Sequence, residues 1–320
     1  IASIIFCELP DEEKAINKSF LLTILDLIKF FNCSENTKPK PISFAVHYHD
    51  SNWLPDMPNR WYVNKNVMKF WYKNMLPILD YANEDFKNFK NNFKKIKNLI
   101  KTHPNNSISI KLSSLNFRED YLRDITKSAI DNNSKILIDA ENFLIQDKIN
   151  NITDNLIKEF NVSEVNIYKT YQMYRNDSFD LLKKDFLKSR NYYIGCKLVR
   201  GAYLNYDKKY NILFNKINDT HSNYNKSIEF IIENLKDKDI LMCATHNKES
   251  IELVTNLIDK NPGKNVEIAH LMGMSDKVSE NLSNNYKVYK YLPYGNFIDT
   301  IPYLIRRLYE NYPMVLNILK

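Results

Sequence analysis

Short apolar runs alternate with longer amphipathic ones along most of this chain, and that rhythm is the feature that most limits its fold. Strands are expected over residues 42–48, 107–112, 135–139, 165–171, 193–199, 240–245, 266–271 and 288–292. A helical stretch is expected after each. The first is an uneven region running to about Lys101, and the others span 118–132, 143–160, 178–190, 211–236, 248–260, 275–284 and 298–310. Such alternation builds parallel βαβ units. Eight of them in 320 residues predict an α/β fold, a closed (β/α)8 TIM-like barrel, rather than an open sheet. An open doubly wound sheet is the competing architecture, but no GxGxxG follows any of the strands. Ahead of the barrel, Phe20, Leu21, Ile24, Leu25, Leu27 and Ile28 mark an amphipathic helix. The predicted division is an N-terminal helical segment over 1–41 and a catalytic barrel over 42–320.

Composition sharpens a few positions. The chain has only 5 glycines, and Gly195, Gly201, Gly273 and Gly295 all lie beside strand ends. Glycine that survives such a bias marks a positive φ or a close approach. The formal net charge of +7 comes from lysines scattered over helices such as 86–101, the pattern of a solvated face, so no nucleic-acid partner is expected. Cys7, Cys33, Cys196 and Cys243 have no CxxC spacing, which points neither to a disulfide framework nor to zinc. His47 and His49 lie two apart in the first expected strand and are read as incidental, and no metal site is expected. No apolar run approaches the length of a membrane span. The chain opens at Ile1 rather than Met, so any targeting peptide would lie upstream.

In a barrel of this kind, chemistry gathers at the carboxyl ends of the strands. Those ends carry Lys111, Asp139, Gln172, Lys197 with Arg200, Thr245-His246-Asn247, His270 and Tyr291. Alternation along the second strand turns Ser109, Lys111 and Ser113 inward and Ile108, Ile110 and Leu112 toward the helices. A lysine within an apolar strand, as at Lys197, is costly without an anion, a cofactor or a cavity to receive it. Lys111 and Asp139 are also candidates for a plain interior ion pair. Gly201 and Ala202, just past Arg200, allow a tight turn and leave room above the strand end. On the last helix, Tyr303, Arg306, Arg307 and Glu310 are spaced as neighbours. Two adjacent guanidinium groups near the barrel mouth make a clamp for a small carboxylate.

Lys111-Leu-Ser-Ser-Leu115, Asp139-Ala-Glu141, Tyr171-Gln172, Lys197-Leu-Val-Arg-Gly-Ala-Tyr203, Ala244-Thr-His-Asn247, Leu271-Met-Gly-Met274, Tyr291 with Gly295, and Tyr303-Leu-Ile-Arg-Arg-Leu-Tyr-Glu-Asn311 together resemble the proline dehydrogenases. The likeness runs from about residue 105 to 311, in order, and its lysine at 197 is similar to the eukaryotic, mitochondrial branch. It implies a distorted (β/α)8 barrel that binds FAD without a covalent link. Hydride would pass from C5 of L-proline to flavin N5, and electrons then to a quinone. By position, Arg306, Arg307 and Lys111 would hold the proline carboxylate. Tyr291 and Tyr303 would wall the ring with Leu198 nearby, and Asp139 would order the polar network. Gln172, Lys197, Arg200, Gly201, Ala202, Tyr203, Thr245, His246, Asn247 and Glu310 would lie against FAD. The resemblance also implies a mitochondrial location on the matrix side of the inner membrane, with peripheral membrane association.

The chain departs from the family pattern in three places. Ala269 and His270 stand where relatives often carry a glutamine, Lys197 keeps the charge of an arginine without its fork, and Tyr-Pro-Met follows Asn311. Other readings remain open on these residues: a hydroxyproline dehydrogenase of the same superfamily, a Schiff-base aldolase using Lys111, or an inactive barrel serving as a binding scaffold.

Overall fold

A computed structural model describes residues 66–81, 88–272, 274 and 276–294. Eight parallel strands close into a barrel in sequence order. They are β1 Met75–Tyr81, β2 Ser107–Ile110, β3 Lys135–Ile138, β4 Ile167–Gln172, β5 Gly195–Val199, β6 Ile240–Ala244, β7 Val266–Leu271 and β8 Val288–Tyr294. Between them run α1 Phe89–Thr102, α2 Glu119–Asp131, α3 Phe143–Phe160, α4 Ser178–Leu187, a short α5 Leu204–Asp207, α6 Ile217–Asn234, α7 Lys248–Lys260 and α8 Asp276–Leu282. The β1–β8 ladder, from Met75↔Val288 to Tyr81↔Tyr294, seals the barrel. The (β/α)8 architecture read from the rhythm is the one found.

The first strand is not where the sequence placed it. The expected strand over 42–48, the N-terminal amphipathic helix around Phe20 to Ile28 and the helix over 298–310 lie outside the described residues, and β1 is Met75–Tyr81, inside a stretch read as helical. Residues 66–72 are indeed helical, but Asn74 adopts a left-handed φ of 54° and ends the helix. Pro77 then disfavours a helix, and it sits before the β1–β2 register begins at Ile78↔Ser107, where a missing N–H costs no ladder bond with β2.

Two apolar layers follow from strand alternation. Ile78, Leu137, Tyr168, Met242, Ala269 and Tyr289 form the core inside the barrel. Ile108, Ile110, Leu112, Cys196, Leu198, Cys243 and Ile268 join the strands to the surrounding helices. Gly195 makes room for the inner layer: a Cβ there would lie 2.7 Å from the Ile167 carbonyl oxygen and 3.0 Å from the Tyr168 ring. Cys196 and Cys243 are buried free thiols. Among the described residues no helix is long and apolar enough to cross a membrane.

Candidate active site

The inward positions one step above the apolar barrel core carry charge. Asp80 ends β1, Lys111 follows β2, Asp139 follows β3, Lys197 lies on β5 and Tyr291 on β8. Lys197 Nζ donates to Asp139 Oδ1 at 2.7 Å, and the Tyr291 hydroxyl donates to Asp139 Oδ2 at 2.9 Å. Tyr291 also lies 3.2 Å from Ser109 Oγ, and Lys197 stands 5.1 Å from the centre of its ring. Lys111 Nζ lies 3.2 and 3.4 Å from the two oxygens of Asp80. Burial would push the Asp139 carboxyl up, but the Lys197 and Lys111 charges and hydrogen bonds from Lys197 and Ser109 hold it below the usual carboxylate range. The ring of charges therefore alternates in sign and sums to zero, a buried arrangement that is stable only while every member stays paired.

Beside this ring, Arg200 sits half-buried in a cage of neutral groups. Its Nε donates to His221 Nδ1 at 2.8 Å, Nη1 to Thr245 Oγ1 at 2.5 Å and Nη2 to Ser250 Oγ at 2.8 Å, over the Tyr224 ring. A guanidinium has five N–H donors, of which these bonds use three, and all three acceptors are neutral groups rather than carboxylates. The cage stands at the N-terminus of α7, where Asn247 caps the helix by accepting from Ser250 N at 2.9 Å. Thr245 Oγ1 also accepts from Asn247 N.

His246 accepts from Leu271 N through Nε2 at 3.1 Å and stacks on His270 with ring centres 5.2 Å apart. Its Nδ1 is buried without a hydrogen-bond partner among the described residues. His270 lies on the outer side of β7, where Nδ1 meets Ser279 Oγ at 2.8 Å. The fully buried Lys290 ammonium donates to that same hydroxyl and to the carbonyls of Leu271 and Met274, pinning the turn after β7. Burial, with the Lys290 charge nearby, pushes His246 down to about 4. Burial, His246 and Lys290 push His270 down to about 3. Between the ordinary histidine range and those values the unfolded chain takes up protons that the native state refuses, so stability must rise with pH there. From pH 4.5 to 6.5 each imidazole is expected to contribute up to about 1.4 kcal/mol per pH unit. Urea midpoints across that window should climb, and His270→Gln should flatten the slope; an equally steep slope in the variant would count against this origin.

Other expected residues serve the frame. Gln172 Nε2 donates to the Glu141 carbonyl at 2.8 Å and its Oε1 accepts from Ala202 N at 3.3 Å, which stitches β4 to the turn after β5. Gly201 has φ 137°, and any Cβ would strike the Tyr174 ring at 2.5 Å. The Tyr174 hydroxyl and Phe143 N both donate to buried Asp207, at 2.6 and 2.9 Å, so the loop carrying Tyr203 is moored to the start of α3. Burial raises the Glu141 carboxyl despite hydrogen bonds from Ser113.

The structure thus brings Lys111, Asp139, Lys197 and Tyr291 together, with Arg200, Thr245, His246 and Asn247 alongside. The alternative of a Lys111–Asp139 ion pair is not what forms: Lys111 pairs with Asp80, and Lys197 with Asp139. Leu198 is not brought to the mouth: it faces the helices, on the opposite side of β5 from Lys197. Tyr303, Arg306, Arg307, Glu310, Gly273 and Gly295 lie outside the described residues. Asp80 escaped the sequence reading because its strand did; Pro77 within an apolar run was the available signal. His221 and Lys290 carry no local sequence signal, since their partners are 21 residues or more away or reached only across the sheet.

Comparison with known proteins gives the chain's relatives. Residues 55–315 match the sequence model of the family described as proline dehydrogenase. Proline dehydrogenase 1, mitochondrial, of Dictyostelium discoideum is 36% identical over 197 residues, covering 55% of this chain and 34% of that protein. The Homo sapiens protein of the same name is 31% identical over 206 residues, covering 58% and 34%. Hydroxyproline dehydrogenase of Xenopus laevis is 35% identical over 217 residues, covering 62% and 46%. The chain therefore spans a third to a half of the length of these curated relatives. Among solved structures, proline utilization A from Bdellovibrio bacteriovorus superposes with a TM-score of 0.72 at 19% identity, over 79% of this chain and 32% of that one. Its counterpart from Corynebacterium freiburgense gives 0.69 at 18% identity, over 81% and 31%. At these identities the superpositions establish the barrel itself.

Proposed function

Since the chain belongs to the proline dehydrogenase family, we propose that it oxidises L-proline to 1-pyrroline-5-carboxylate with FAD and passes the electrons to a quinone. The observation that carries this reading is the Lys197–Asp139–Tyr291 triad set beside an arginine that pairs with no carboxylate among the described residues. The residues suit a flavin dinucleotide. Arg200 and the N-terminus of α7 offer a diphosphate N–H donors and a favourable dipole. His246 Nδ1, buried without a partner among the described residues, suits a polar atom of the cofactor. When bound, FAD supplies the two-electron acceptor for the hydride leaving C5, while the amine nitrogen gives up a proton.

The remaining work falls to the chain. Asp139 orients both the Lys197 ammonium and the Tyr291 hydroxyl, and that fixed geometry holds the reactants for attack. Lys197 keeps positive charge at the mouth, where it stabilises negative charge gained during reduction. Lys111, with its ammonium committed to Asp80, contributes to carboxylate binding as one half of a neutral pair. Arg306 and Arg307 are proposed as the main carboxylate clamp, with Tyr303 as a ring wall and Glu310 against the cofactor. The same pairing of Lys111 weighs against the Schiff-base aldolase, which needs a free amine.

The hydroxyproline alternative is favoured by one finding, the Xenopus relative of that name. Mitochondrial residence is proposed from the names of the relatives, as is peripheral association with the inner membrane on its matrix side. The purified protein is expected to show flavin absorbance that bleaches on adding L-proline anaerobically, and more slowly with trans-4-hydroxy-L-proline. Bleaching by neither compound would reject both readings and leave the binding scaffold.

A further inference from the structure

The cage around Arg200 is built from groups that carry no charge, and one of its members is titratable. Thr245 and Ser250 hold the two Nη atoms, whereas Nε is held by His221 alone, from the first two turns of α6. The Nε bond matters most for orientation. With Nε–H fixed, the planar group has a set roll about its stem, which fixes the plane in which its remaining N–H donors lie. An arginine N–H always donates, so His221 Nδ1 must carry the lone pair and the ring proton must sit on Nε2. The charged groups bearing on the ring are Arg200, from the end of β5, and Glu249, from the first turn of α7. Burial and Arg200 hold His221 below the ordinary histidine range, and Glu249 opposes them.

An acidic residue at this place would make the same hydrogen bond and cancel the charge. A neutral acceptor fixes the fork and leaves its charge for a ligand. We propose that His221 is a positioning residue that orients Arg200, through a neutral Nδ1 acceptor, toward a phosphate-bearing ligand. The proposal rests on the reading of Arg200 as a contact for the dinucleotide diphosphate.

Two substitutions separate acceptor from ring. Asparagine Oδ1 lies as many bonds from Cα as histidine Nδ1, so His221→Asn keeps the acceptor; His221→Leu removes it. FAD titrated into the apoprotein, followed by flavin fluorescence at pH 7.5, should give a Kd for His221→Asn within about 2-fold of the unsubstituted chain. For His221→Leu it should be weaker by about 5-fold or more, the loss expected when a charge-assisted bond that preorganises a binding group is removed. Thermal melts of both variants should match, because the ring is partly exposed. In ¹⁵N-resolved spectra, Nδ1 of His221 should be unprotonated and Nε2 protonated. Equal affinity for the leucine variant and the unsubstituted chain, an asparagine variant as weak as the leucine one, or a proton on Nδ1 would each overturn the proposal. No FAD binding by the unsubstituted chain would instead defeat the cofactor reading, and this inference with it.

Discussion

Replacing Asp239 by asparagine should destabilise the protein by about 3–5 kcal/mol, the range for breaking a buried ion pair by removing one partner. Asp239 precedes β6, and its side chain and that of Arg190 are both fully buried. One carboxylate receives the Arg190 fork, with Nη1 at 2.8 Å from Oδ1. It also accepts from Ile194 N and Lys236 N, each at 2.8 Å. Asparagine keeps the shape but turns an NH2 group toward donors, so at least one bond becomes a clash and the guanidinium loses its counter-charge. For a chain of this size the melting temperature should fall by roughly 4–7 °C. The exposed Arg118–Asp120 pair is the control; Asp120→Asn should leave the melt unchanged, since solvent screens such pairs. A melt shift of only a degree or two in Asp239→Asn would mean that water or a neighbouring group already satisfies Arg190.

The second large effect is expected on catalysis. Asp139→Asn should lower kcat/KM for L-proline by about 100-fold or more, because misplacing a reacting group by an ångström costs this much. The carboxylate uses one oxygen for Lys197 and the other for Tyr291. Asparagine can accept at one of the two and opposes the other with a donor. It also removes the negative charge that balances Lys197 in a buried place. Rapid-mixing measurement of anaerobic flavin bleaching isolates the reductive step from quinone turnover. A loss under about 3-fold, with flavin still bound, would show that Lys197 and Tyr291 hold their places without Asp139.

Both predictions concern contacts that chemistry at single positions only half announced. Lys197 was legible because a cation inside an apolar strand demands a partner, yet nothing local said that the partner was Asp139 rather than a ligand. The alternative Lys111–Asp139 pairing could not be decided for the same reason. Adjacent strand ends had two acids and two bases to distribute, and the missing acid, Asp80, lay on a strand read as helix. His221 lies on the polar side of an amphipathic helix and reads as surface until Arg200 is seen to reach it.

What the sequence determined alone was periodicity and inventory. Alternating inward and outward residues, with helices between strands, require a parallel barrel, and the same alternation requires that residues at strand ends share one mouth. The order of motifs from residue 105 to 311 was enough to identify the family. Tertiary structure decided the pairings: which carboxylate neutralises which ammonium, that Leu198 faces the helices, and that Arg200 has no carboxylate in ion-pairing contact among the described residues. Strand period is a property of neighbouring residues and survives in one dimension. Ion pairing depends on the register and twist of a closed sheet, which brings together side chains 31, 58 and 152 residues apart.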